Sequence, residues 1–164
     1  MSFNILFLST DNAARSIIAE GMLNHLASLR QRDVIGFSGG ASPHGRVDHY
    51  TLDVLVTAGV EIGAYRNKSW DEFLRPDTPP MRLAVTLADR EIHKLMPKWP
   101  GDPILLHWPY PDLSGHFEND TKKRAMFELT RQALAWRMSQ LLDLPLETIH
   151  GPDLKRALAE IAAS

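Results

Sequence analysis

Apolar runs and amphipathic stretches alternate from one end of the chain to the other. Short unbroken apolar runs read as buried strands, and apolar residues recurring every three or four positions read as helices. The first strand is Asn4 to Leu8 and the first helix Arg15 to Arg30. Val34 to Ser38 is a short second strand, closed by Gly39-Gly40. Asp48 to Ala58 predicts a second helix, with Gly59 placed to stop it in a left-handed turn. Trp70 to Phe73 predicts one helical turn capped by Ser69. Pro76 to Pro80 leads rigidly into the third strand, Leu83 to Leu87. Asp89 to Leu95 predicts a short helix halted by Pro97 and Pro100, and Ile104 to His107 is the fourth strand. The longest helical periodicity spans Glu118 to Leu142, with Met126, Leu129, Ala133, Trp136 and Leu141 as its apolar positions; Asp153 to Ala162 predicts a short final helix. This alternation predicts an α/β fold, a four-stranded parallel sheet flanked by helices on both faces. No repeat or linker interrupts it, so residues 1–164 are read as a single domain.

Composition narrows the chemistry. A chain of 164 residues can bury a substantial core. Its formal net charge of -2 gives no case for nucleic-acid binding, although one local positive site can still hold a small anion. With no cysteine, the chain has no disulfide, thiolate metal site or thiol relay. The start, Met1 to Ile5, lacks a basic region followed by a long apolar segment. No run approaches the roughly 20 apolar residues of a membrane span, so a cytoplasmic protein without membrane contact is expected. The histidines show no metal-binding spacing, since His44 and His49 have no third ligand nearby in sequence; no metal or other cofactor is expected.

One segment carries candidate chemistry. The apolar run Ile5 to Leu8 leads through Ser9, Thr10, Asp11, Asn12, Ala13 and Ala14 to Arg15 and Ser16, where the helical pattern begins. A strand, a tight loop and a helix N-terminus bearing an arginine make an anion site, because unpaired amides and the helix dipole meet there. The expected partner is a small tetrahedral oxyanion held by residues 9–16. Arg15 is a planar, bidentate donor suited to it, and a cation in the first turn of a helix is otherwise unfavourable. Asn12 tolerates a left-handed backbone angle that would tie the loop.

The spacing Ser9, five residues, Arg15-Ser16 resembles the Cys-x5-Arg-Ser loop of low-molecular-weight protein tyrosine phosphatases and thioredoxin-coupled arsenate reductases. The resemblance extends along about nine tenths of the chain. Ser38-Gly39 with Ala41 to Gly45 resembles a Ser-Ala-Gly-Thr stretch, and Arg66 to Phe73 is similar to Arg-Ser-Lys-Ser-Trp-Asp-Glu-Phe. Leu83 to Asp89 resembles Val-Phe-Thr-Val-Cys-Asp, with Ala88 at the cysteine. Met96 to Gly101 resembles Cys-Pro-x-x-Pro-Gly, with Met96 at the cysteine. His107 to Asp112 resembles the segment carrying the family's general acid, with Leu113 in place of its proline.

The resemblance implies Ser9, Arg15 and Asp112 at catalytic positions, with Ser16 behind the nucleophile. It equally marks what is missing: Ser9, Ala88 and Met96 stand where the reductases carry their attacking and relay cysteines. A serine hydroxyl needs an adjacent base that a thiolate does not. None is close in sequence, though His44, His49 or His107 can approach in space. Asp11, where phosphatases often carry glycine, would repel an oxyanion if its carboxylate faced the loop. Lys68 and Arg46 are candidates for added positive charge, and Trp70, Trp99, Trp108 and Trp136 for core or loop anchors. Three functions stay open: an oxyanion-binding homologue without thiol catalysis; a weak phosphatase using Ser9 or water with Asp112 as acid; and a partner-binding module with a vestigial loop.

Overall fold

The computed structural model describes residues 1–164. Four parallel strands, β1 (Phe3–Ser9), β2 (Val34–Gly40), β3 (Leu83–Thr86) and β4 (Ile104–His107), form one sheet in the order β2-β1-β3-β4. The α-helices are α1 (Arg15–Leu29), α2 (His49–Thr57), α3 (Asp120–Asp143) and α4 (Gly151–Ala163). Two short 3-10 helices cover Trp70–Leu74 and Ile92–Leu95.

Strand β1 shows how the pattern builds two layers. Its side chains alternate between the sheet's faces. Phe3, Ile5 and Phe7 join Ile17, Leu55, Phe127, Leu134, Leu154 and Leu158 in the larger core, under the four α-helices. Leu6 and Leu8 join Trp70, Phe73, Ile92 and Trp99 in the smaller one, under the two 3-10 helices. The sheet is therefore helix-covered on both faces, with the long helices gathered on one.

Side-chain caps set several helix starts, satisfying amides that have no intrahelical partner. Asp48 accepts from the Tyr50 N–H at 2.9 Å, so it precedes α2 as its cap and does not begin it. Asn119 caps α3 by accepting from the Lys122 N–H at 2.9 Å, which moves the predicted start from Glu118 to Asp120. Ser69 caps the first 3-10 helix as expected, accepting from the Asp71 N–H at 3.1 Å. The predicted helix Asp89–Leu95 shrinks to Ile92–Leu95, since Pro97 leaves no length for a full α-turn beyond it.

The inner face of α3 differs from the predicted one. Phe127, Thr130, Leu134, Met138 and Leu141 are buried, whereas Leu129 and Trp136 are 57% and 62% exposed. Apolar residues occupy more than one side of this helix, and packing against α1 selects the Phe127 side. Trp136 is thus no anchor, although Trp70, Trp99 and Trp108 are buried as expected. No helix is long and apolar enough to cross a membrane.

Candidate functional site

The loop between β1 and α1 lies at the carboxyl end of the sheet, where parallel α/β folds bind ligands. It turns on Asn12, whose φ of 53° lies in the left-handed region. The Asn12 side chain then fixes the turn from three sides. Its Nδ2 donates to Ser16 Oγ at 2.9 Å and Ser38 Oγ at 3.0 Å, while its Oδ1 accepts from the Lys68 N–H at 2.9 Å. Asn67 Nδ2 donates to the carbonyls of Asp11 and Asn12, both at 2.8 Å. Gly40 is required beneath the turn, since a Cβ there would lie 2.9 Å from Asn12 Cβ and N.

The loop's amides divide sharply. Asn12 N–H donates to Ser9 Oγ at 3.1 Å, and Ala13 N–H donates to Asp11 Oδ1 at 3.3 Å. The N–H groups of Thr10, Asp11, Ala14, Arg15 and Ser16 have no acceptor in the chain. Helix α1 has no side-chain cap and no acidic residue in its first turn. Ala14, Arg15 and Ser16 are nonetheless buried, at 7%, 3% and 0% exposure. Buried amides are ordinarily paired. This buried, uncapped helix end leaves its first donors without an acceptor in the chain.

Ser9 Oγ sits 2.6 Å from Ser16 Oγ and accepts from Asn12. None of the three histidines that sequence offered as a base reaches it. His44 Nε2 lies 3.5 Å from Asp11 Oδ2, the His49 ring stacks on Tyr50, and His107 Nδ1 is 2.6 Å from Thr86 Oγ1. Each is held elsewhere by its own neighbour, so Ser9 has hydroxyl and amide partners and no proton acceptor stronger than these.

The Arg15 guanidinium is anchored at one nitrogen only. Its Nη1 donates to the Tyr110 carbonyl at 2.8 Å and to Asp89 Oδ1 at 3.3 Å, leaving Nε and Nη2 without partners in the chain. Asp89 and Tyr110 lie 74 and 95 positions from Arg15, so local pattern does not reveal them in this role. Asp112 is exposed, and its Oδ1 accepts from both the N–H and Oγ of Ser114. Burial pushes its pKa up, but the Ser114 hydrogen bonds and the Arg15 and Arg90 charges outweigh this and hold it below the usual value. Its carboxyl is ionised at neutral pH.

Beneath the loop lies an ion pair between residues far apart in the chain. Lys68, expected to lend charge to the site, is buried instead, 3.7 Å from an equally buried Glu20. The Lys68 ammonium donates to Ser38 Oγ at 3.2 Å, and Ser38 donates in turn to Glu20 Oε1 at 2.5 Å. Burial raises the Glu20 pKa against the pull of Lys68, and burial lowers that of Lys68 against the pull of Glu20. Through Ser38 and Asn12 this ion pair forms the floor under the loop. Arg46 lines a surface cleft of about 310 Å³ with Asp48, His49, Tyr50 and Lys123, and the Asp48 N–H donates to the Ala13 carbonyl of the loop at 3.0 Å.

Residues 4–102 match the family model for low molecular weight phosphotyrosine protein phosphatase. The chain belongs to this family. Solved structures share the fold. The low molecular weight protein tyrosine phosphatase from T. tengcongensis aligns with a TM-score of 0.69 at 20% identity, over 87% of this chain and 99% of that one. An arsenate reductase in its phosphate-binding state aligns at 0.65 and 19%, over 86% and 97%. A cysteine-to-serine mutant of the YwlE arginine phosphatase with a phosphorylated active-site serine aligns at 0.68 and 16%, over 89% and 97%. No curated protein matches the chain by sequence. The chain has no cysteine, and Ser9 stands at the head of the loop with Ala88 and Met96 farther on. Asp112 falls beyond the segment that the family model matches.

Proposed function

We propose that this phosphatase-family protein binds a tetrahedral oxyanion (phosphate, sulfate or arsenate) in the loop 9–16 and does not carry out the thiol chemistry of its relatives. The reading extends over residues 1–164 as one domain acting in the cytoplasm. The observation that carries it is the buried, uncapped start of α1, where five loop amides lack acceptors beside a guanidinium anchored at one nitrogen. Donors fixed before the ligand arrives bind it without a reorganisation cost. Thr10, Asp11, Ala14, Arg15 and Ser16 supply amides, Arg15 adds two charged donor nitrogens, Nε and Nη2, and Asn12 and Ala13 shape the loop. A phosphate-binding state is named for one structural relative, and a phosphorylated active-site serine for another that carries serine in place of cysteine.

Two features of the site disfavour turnover through Ser9. The hydroxyl has no base, only Ser16 and Asn12. Asp112, the candidate acid, is held ionised and cannot protonate a leaving group in that state. Calorimetry with phosphate, paired with an aryl phosphate hydrolysis assay, tests the reading. Saturable phosphate binding that Arg15→Ala abolishes, without hydrolysis above buffer, is the expected result. Hydrolysis lost in Ser9→Ala would instead establish the weak phosphatase. No binding to either protein would leave the loop vestigial.

A further inference from the structure

The Asp11 carboxylate is a fixed negative charge inside an otherwise donor-lined loop. Its Oδ1 takes the Ala13 N–H at 3.3 Å, its Oδ2 lies 3.5 Å from His44 Nε2, and its side chain is only 15% exposed. The Ala14 amide, one residue on, is among the donors left free. An oxyanion oxygen that accepts from Ala14 would have as its neighbour the Ala13 N–H, which the Asp11 carboxylate already occupies. A fully deprotonated oxygen meets repulsion there, with low exposure limiting the screening by solvent. An oxygen that carries a proton meets an acceptor, and donates to it in a short charge-assisted hydrogen bond.

We infer that Asp11 makes the loop selective for oxyanions that carry a proton, hydrogen phosphate and hydrogen arsenate, over sulfate, which carries none at neutral pH. The inference rests on the oxyanion-binding reading above and assigns its ligand class. Size and shape do not separate these tetrahedral anions, so a loop built of donors alone would take all three. A carboxylate acceptor separates them by proton count, because an unpaired acceptor facing an unprotonated oxygen is penalised more than the lost bond alone. Asp11 contributes nothing to the anion's charge stabilisation; it is a specificity residue. The His44 imidazole, 61% exposed, is a neighbour of the carboxylate from the outer side and does not replace it as acceptor.

Calorimetric titration of the full chain with sodium phosphate, sodium arsenate and sodium sulfate at neutral pH and constant ionic strength tests this. Asp11→Asn keeps an oxygen for the Ala13 N–H and removes the charge; Asp11→Gly removes the side chain at a position whose backbone has no left-handed angle. Circular dichroism confirms that both are folded. The wild-type protein should prefer phosphate and arsenate over sulfate by about tenfold or more, the scale of one charged contact. Both variants should narrow that ratio, chiefly by binding sulfate more tightly. Equal affinities in the wild type, or a ratio unchanged in folded Asp11→Asn, would overturn the inference while leaving oxyanion binding intact. A wild type that binds none of the anions while Asp11→Gly binds all of them would also overturn it, since Asp11 would then exclude ligands without sorting them. Absence of binding in all three proteins would overturn the underlying reading together with the inference.

Discussion

Replacing Lys68 by methionine should reveal how much of the loop's floor depends on one buried ion pair. The substitution keeps the length and apolar stem of the side chain and deletes the ammonium, which lies 3.7 Å from Glu20 at 8% and 11% side-chain exposure. Glu20 then keeps only Ser38 as a partner, and a buried carboxylate left without its cation costs about 3–5 kcal/mol. Typical total stability is about 5–15 kcal/mol, so the loss should be plain in urea unfolding. The pH dependence carries a sign. Burial already raises the Glu20 pKa, and Lys68 is the largest influence opposing that rise, so Lys68→Met raises it further. A carboxyl with a raised folded-state pKa gives stability that is full below its unfolded pKa and lost as pH rises through the folded value. The destabilisation should therefore be smallest in acid. It should grow by up to about 1.4 kcal/mol per pH unit between the wild-type and variant pKa values of Glu20. Adding Glu20→Gln should recover part of the loss, giving a coupling of about 0.5–3 kcal/mol in a double-mutant cycle. A loss below about 0.5 kcal/mol, flat between pH 5 and 8 and additive with Glu20→Gln, would show that the pair is solvated and supports nothing.

Two further outcomes concern the missing thiols. Ser9→Cys should give a thiol with a pKa below the free value of about 8.5, measured by pH-dependent alkylation, because residue 9 takes the Asn12 N–H and lies against Ser16 in the unpaired start of α1; a pKa at the free value would mean that Asp11 cancels the field. The wild-type protein should form no arsenite from arsenate with thioredoxin, glutaredoxin or glutathione, since Ser9, Ala88 and Met96 cannot supply electrons; arsenite above a no-protein blank would refute this.

Much of this architecture is legible from local pattern. Strand β1, the turn at Asn12 and the start of α1 are contiguous, so apolar runs and one arginine outside its usual place suffice to locate the loop. What holds the loop is not contiguous. Lys68 pairs with Glu20 across 48 positions, and Arg15 leans on Asp89 and on the Tyr110 carbonyl, contacts that exist only once β2 and β3 flank β1. A lysine in a polar stretch reads as exposed because most are, and only the carboxylate and Ser38 beneath it make burial tolerable. Helix α3 fails differently. Leu129 and Trp136 satisfy a helical period as well as Phe127 and Leu134 do, so period alone does not choose between its two apolar sides. The docking of α1 chooses, and the inner side even includes Thr130.

An amide-resolved NMR titration with phosphate reads the free amides of residues 9–16, proposed to hold an oxyanion, one by one. The amide protons of Thr10, Asp11, Ala14, Arg15 and Ser16 should move downfield together and saturate, the mark of hydrogen bonds gained, while that of Asn12, already bonded to Ser9, should move least. Amides that stay fixed while signals shift at the cleft of Arg46, Tyr50 and Lys123 would contradict the account, placing any phosphate outside the loop.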